Sequence, residues 1–201
     1  MMELDHLAVT CASLDEGTAW AEEKLGVPFE QGGRHDRFGT HNRLLSLGPG
    51  LYFEVIAPEP GTAPAVPRWF GLEEATAPRL GNWICRTPDL AAALSEAPPE
   101  VGEALPLTRG DLAWTVTVPP DGSLPWGGAF PTLIQWSAGQ HPADRLPDRG
   151  IRLLALEVGH PRAARLKTLL AGLDDPRLKV ITTDHPSLRA LFATPRGEVE
   201  L

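Results

Sequence analysis

Two apolar runs, Asn42–Leu47 and Leu51–Ile56, flank Gly48-Pro49-Gly50 and predict a β-hairpin. Glycine supplies the turn dihedrals and proline presets one of them. In the second run alternation puts Leu51, Phe53 and Val55 on one face and Tyr52, Glu54 and Ile56 on the other. A carboxylate among apolar neighbours must be paired, hydrated or ligated, because burying it bare costs on the order of several kcal/mol. Glu54 is therefore the first residue whose presence asks for a chemical reason.

The same patterning predicts a strand over Leu4–Cys11, with His6 and Ala8 on one face and Leu7 and Val9 on the other. Ser13 caps a helix that ends near Leu25 at Gly26, with acids in its first turn. Val27–Gln31 reads as a short strand and Gly32–Thr40 as a glycine-punctuated loop before the hairpin. Proline-rich residues 61–79 form a connector. The order then recurs: strand Leu80–Arg86, helix Asp89–Ala97, and strands Glu103–Arg109, Leu112–Pro119 and Pro131–Ser137. Such repetition constrains a fold strongly. Superposing the halves places His6 over Asn82 and Glu54 over Gln135. Beyond a polar stretch, Ile151–Val158 reads as a strand and Pro161–Leu173 as an amphipathic helix. Lys179–Thr183 and Val199–Leu201 read as further strands, with a helical turn at Ser187–Phe192. The expected fold is α+β: two βαβββ modules (1–60 and 80–140) curl a mixed sheet around a cleft, with a partial third βαβ unit over 151–201, all in one domain.

Composition narrows the function classes. A net charge of -8 and a pI near 5.2 speak against nucleic-acid or anionic-membrane partners. No run approaches a membrane span, and the acid-bearing N-terminus enters a strand directly, unlike a signal peptide. Cys11 and Cys85, both in β-like runs, read as free buried thiols, and the expected location is cytoplasmic. The chain lacks GxSxG, Walker A, HExxH, CxxC and GxGxxG motifs, which removes the enzyme classes that need those templates.

The segments LDHLAV, GGRHDRFGTHNRLLSLG, YFEVIAPEP, NWICRTPDL and TPRGEVEL resemble the vicinal oxygen chelate superfamily, and within it the bacterial glyoxalase-like domain family. The resemblance covers nearly the whole chain. It implies two half-barrels enclosing a cleft, with four ligand positions on the first and last strands of the modules. Those positions here are His6, Glu54, Asn82 and Gln135. Two of them are neutral amides where the metalloenzymes of the superfamily carry His or Glu.

His6 and Glu54 are the expected catalytic pair. With Gln135 as a weak third ligand they would hold a divalent cation (Zn, Ni, Mn or Fe), a Lewis acid toward a carbonyl or enediolate oxygen. Without a metal, the carboxylate can orient an imidazole base, or the pair can simply share a hydrogen bond. His41 and Asn42 either present polar groups to a ligand or satisfy the local turn. Asn82, Arg109 and Gln135 are further candidate substrate contacts, with Trp114 as an apolar wall and Trp126 as a lid. Arg86 and Arg109 would meet an anionic ligand or make surface ion pairs. By parity Trp83 and Trp136 fall beneath the sheet. His141, His160 and His185 each precede proline and read as cap or pre-helix residues, with Pro161 and Pro186 at helix starts. The expected function is an enzyme of glyoxalase or dioxygenase-like type acting on a carbonyl- or enol-containing metabolite. The competing one is a non-catalytic protein that sequesters a small molecule. Either would be a monomer or a homodimer.

Overall fold

The computed structural model describes every residue of the chain except Ala138 and Gln140. The first five elements are β1 (Glu3–Thr10), α1 (Leu14–Leu25), β2 (Glu30–His35), β3 (Thr40–Ser46) and β4 (Tyr52–Pro58). The order repeats as β5 (Arg79–Arg86), α2 (Leu90–Glu96), β6 (Glu103–Arg109), β7 (Leu112–Val118) and β8 (Thr132–Trp136). These eight strands form one mixed sheet, β2-β3-β4-β1-β5-β8-β7-β6. Within each half the first and last strands run parallel, β1 beside β4 and β5 beside β8, and antiparallel pairing of β1 with β5 joins the halves. The sheet curls until its outer strands β2 and β6 meet.

Alternation along the central strands builds two cores. Leu7, Val9, Phe53, Val55, Trp83, Cys85 and Leu133 point to the convex side. Ala8, Ile56, Ile84, Val116 and Ile134 point into the concave side with Trp69, Phe70 and Leu72 of the connector. On the convex side α1 packs closely over β4. Its start is fixed by the Ser13 hydroxyl accepting from the Glu16 amide, and its end by Gly26 at φ 74°. The two cysteines are free and buried.

The C-terminal unit is β9 (Arg152–Gly159), α3 (Ala163–Leu169), β10 (Leu178–Ile181), β11 (Ser187–Thr194) and β12 (Gly197–Glu200). It forms a separate sheet, β10-β9-β11-β12, packed on the convex core through contacts such as Phe192 on Phe53. Here Ser187–Phe192 is strand, not a helical turn. Its apolar side chains alternate and it pairs with β9 from Ser187 onward, so the pattern has period two. Pro161 and Pro186 consequently do not open helices: α3 begins after Arg162, and Pro186 leads into β11.

Gly32-Gly33 also lies within a strand. Gln31 pairs with Arg43 and Arg34 with His41, so both glycines face the single residue Asn42 in a bulge. The end of the second module at residue 140 falls on Gln140, outside the described residues. Among the described residues, no helix is long and apolar enough to cross a membrane.

Candidate functional site

The concave face encloses a cavity lined by His6, Asn42, Tyr52 and Glu54 from the first half. Ile84, Arg109, Trp114, Val116, Ile134 and Trp136 line it from the second, and Trp69 and Phe70 from the connector. Its polar groups come almost entirely from the first half.

His6 is placed by an irregularity in β1. Leu4 faces Cys85 and His6 faces Ile84, which leaves Asp5 as an extra residue. The bulge turns the Asp5 carboxylate beside the imidazole it precedes. His6 Nδ1 lies 2.6 Å from Asp5 Oδ1, and Asp5 is fully buried. The other carboxylate oxygen accepts from Trp136 Nε1 (3.0 Å) and lies 3.0 Å from His141 Nε2. His141 Nδ1 accepts from the Ala143 amide (3.2 Å), so its Nε2 carries the proton given to Asp5. Burial alone would raise the Asp5 carboxyl. The hydrogen bonds from His141 and His6, and the attraction of both rings, more than offset it and hold the group well below its ordinary value.

An ionised Asp5 fixes the proton of neutral His6 on Nδ1 and leaves Nε2 bare toward the cavity. That nitrogen lies 3.7 Å from Glu54 Oε2. Tyr52 stacks on the imidazole with ring centroids 4.2 Å apart. Burial, then the charges of Asp5 and Glu54, push the Tyr52 phenol far up, so it remains a neutral plate.

Glu54 Oε1 accepts from Asn42 Nδ2. The amide is oriented from behind, because Asn42 Oδ1 accepts from the Gly33 amide at 2.7 Å. A Cβ on Gly32 would sit 2.0 Å from Asn42 Oδ1, and one on Gly33 2.6 Å from Arg109 Cδ. The glycine pair is thus the clearance that lets both side chains meet there. Arg109 Nη1 lies 3.5 Å from Asn42 Oδ1 and 3.2 Å from His35 Nε2. A guanidinium only donates, so His35 accepts on Nε2 and donates from Nδ1 to Thr40 Oγ1 (3.1 Å). Enclosure of its nitrogens, with the Arg109 charge beside it, depresses the His35 pKa to about 3.

Five expected placements differ. His41 lies on the face of β3 opposite Asn42, half-buried and outside the cavity, because adjacent strand residues point apart. Asn82 is buried but spent internally: its Nδ2 donates to Thr132 Oγ1 (3.0 Å) and its Oδ1 accepts from the Trp83 amide (2.9 Å). Gln135 points to the opposite side of β8, where Oε1 accepts from the Leu90 amide at the start of α2 (2.8 Å). It therefore cannot be a ligand in the cleft. Trp136 lines the cavity in its stead, not the underside of the sheet. Trp126 is no lid. It sits where Trp126 and Gly127 reverse the chain at positive φ, and its ring packs against His160 and under Arg162 (4.2 Å) on the C-terminal unit.

Trp83 does lie beneath the sheet. Arg86 makes the surface ion pair with Glu3. His141 caps the turn Pro142–Arg145 as its spacing suggests, and reaches Asp5 as well.

Register decides which face of β8 meets the cleft. Ala8 faces Glu54 across β1 and β4, and the equivalent Ile84 faces Thr132 across β5 and β8. Thr132, not Gln135, is the counterpart of Glu54. An odd shift in register exchanges the two faces of a strand.

A metal centre does not fit this donor set. Among the described residues, no three of His, Cys, Asp and Glu gather as ligands. His6 Nε2 and Glu54 supply two donors, and the facing strands offer Ile84, Ile134 and an Asn82 turned onto Thr132. Catalytic sites for such ions generally use three protein ligands.

A glyoxalase-like domain family profile matches residues 4–173. The chain belongs to that family, and its fold is of the vicinal oxygen chelate type. No curated protein matches it. Among solved structures, a hypothetical protein from Staphylococcus aureus shares 12% identity over 93% of this chain and 88% of its own, with a TM-score of 0.65. A methylmalonyl-CoA epimerase from Mycobacterium tuberculosis shares 21% identity over 70% of this chain and 91% of its own, at a TM-score of 0.44. The likeness to the Staphylococcus aureus protein is one of fold.

Proposed function

We propose that this member of the glyoxalase-like family is a proton-transfer enzyme acting beside the carbonyl of a small molecule, with His6 as the base. The coarser class is a small-molecule enzyme or binding protein of the vicinal oxygen chelate type. The observation that carries the finer reading is the buried Asp5 carboxylate on His6 Nδ1, which turns Nε2 to the cavity and, in the neutral ring, puts the lone pair there. Nε2 takes a proton from the carbon next to the carbonyl, and the bonding pair becomes the enolate. Asp5 and Glu54 stabilise the imidazolium that forms. Return of the proton to carbon or oxygen then racemises or isomerises the compound. Aromatic walls from Tyr52, Trp69, Trp114 and Trp136 keep water away from a flat substrate.

A divalent cation between His6 and Glu54 would have only those two protein ligands. The test is hydrogen–deuterium exchange at the α-carbon of a panel of oxo compounds in D₂O, with and without chelator. Exchange that survives chelator and is lost in His6→Gln supports the reading. Exchange restored only by added metal overturns it. A sequestering role is favoured by one observation: among the described residues β5, β7 and β8 line the cavity with no ionisable side chain, only apolar groups and the Trp114 and Trp136 indoles, and it predicts binding with no exchange.

A further inference from the structure

The central cavity is narrow. It measures about 30 Å³, far less than the groove outside it, so a ligand reaches His6 by one end. Outside it lies a groove of about 860 Å³ lined by Arg34, Asp36, Arg37, Thr108 and Arg109. A second groove, lined by Glu30, Gly33, Leu44 and Arg109 among others, opens on the other side. Arg109 lines all three spaces, and so stands at the throat.

The pairing of Arg109 is unlike that of the arginines held by carboxylates, such as Arg86, Arg145 and Arg152. It is half-buried, its Nη1 meets only the neutral acceptors His35 Nε2 and Asn42 Oδ1, and no carboxylate lies within 4.0 Å among the described residues. Nε and Nη2 have no hydrogen-bond partner among them. A guanidinium presents five donors in a planar fork suited to a carboxylate. The groups behind it are arranged not to neutralise it, since His35 stays uncharged and accepts. Arg37 adds positive charge at the same mouth, where Arg34 is paired with Glu59 (2.8 Å) and Asp36 offsets one charge, in a chain of net charge -8. Such a mouth attracts anions.

We propose that the substrate is a short oxo-carboxylate, its carboxylate clasped by Arg109 at the throat and its carbonyl end inserted toward His6. The distance suits a short molecule, because one amide, Asn42, separates the guanidinium from Glu54. The inference rests on the proton-transfer reading for what happens at the carbonyl, but not for what binds at Arg109.

The experiment uses three- to five-carbon 2-oxo and 3-oxo acids and their methyl esters as probes, with affinity by calorimetry and α-carbon deuterium exchange by NMR on the same samples. At least one acid binds the native protein tenfold or more tighter than its ester, and added salt weakens the acid only. In Arg109→Met that ratio falls to about one, while Arg109→Lys keeps part of it. A ratio taken within one variant is insensitive to partial loss of folded protein. Equal binding of acid and ester, a preference that survives in Arg109→Met, or no binding of any acid overturns the inference. Arg109-dependent acid binding with no exchange sinks the proton-transfer reading and leaves this inference standing. Exchange of esters as fast as acids does the reverse.

Discussion

In the first half of the sheet, His6 on β1 lies 3.7 Å from Glu54 on the adjacent β4; in the second, Asn82 on β5 holds Thr132 on β8 in a 3.0 Å hydrogen bond. Strand order, pairing sense and helix position repeat between the halves. The side chains at equivalent points do not. The first pair turns an imidazole nitrogen and a carboxyl oxygen to the cleft, and the second satisfies its own polar atoms and leaves Ile84 and Ile134 as the surface. One half supplies the titratable groups of the cavity, and the other supplies an apolar wall with Arg109 at its rim. A low-dielectric wall strengthens the electrostatics of groups facing it. The asymmetry is thus a division of labour built on a duplicated frame.

The comparison breaks most sharply at His6. Replacing it with the residue of the other half, His6→Asn, is expected to lower α-proton exchange by about 10²–10⁴-fold, the usual contribution of a positioned base. The fold should survive, as near-unchanged circular dichroism would show. Asp5→Asn comes next: exchange falls by about tenfold or more, because the tautomer of His6 is no longer fixed. His141→Ala should produce a smaller loss in the same direction, with a shifted pH–rate profile that distinguishes positioning from mere packing.

Stability against pH separates the halves further, since the perturbed groups around the cavity belong to the first. The His35 pKa lies near 3 when folded, below its ordinary 6.5, so the unfolded chain binds that proton more readily. Stability from a neutral His35 is complete above pH 6.5 and is lost as pH falls toward 3. Asp5 is depressed from 3.8, so its contribution is lost only below that value. Denaturant melts of His35→Asn should flatten the upper window and those of Asp5→Asn the lower.

Away from Arg109, the second half answers in stability alone. Asn82→Ala leaves Thr132 Oγ1 and the Trp83 amide short of a partner, at a cost of about 1–3 kcal/mol with ligand affinity retained. Gln135→Ala removes only the acceptor of the Leu90 amide, at about 0.5–1.5 kcal/mol, and leaves ligand binding unchanged. Loss of binding in Gln135→Ala would mean that β8 presents its other face to the cleft.

Several features of this architecture were legible in the sequence because they depend on neighbours a few residues apart. Period-two alternation exposed β1 and β4 and put His6 and Glu54 on their faces, and the Ser13 and Gly26 signals bounded α1. The recurrence of the element order revealed two modules. Residues 80–137 gave the right strands but the wrong face for Gln135, since strand existence depends on local pattern while pairing register depends on which distant residue sits opposite.

What the tertiary structure alone decided is which polar groups meet. Asp5 became a partner of His6 through a bulge defined by β5, a strand more than seventy residues away, and the Asp-His dipeptide by itself does not announce it. His35, Tyr52, Trp136 and His141 join the network only once the sheet has curled. Gly32-Gly33 was the one local sign of a close approach there, and it resembled a loop. The sequence by itself determined the periodicities, hence the elements and their faces. Folding determined the distances on which hydrogen bonding and charge act, and those fall off within a few ångströms.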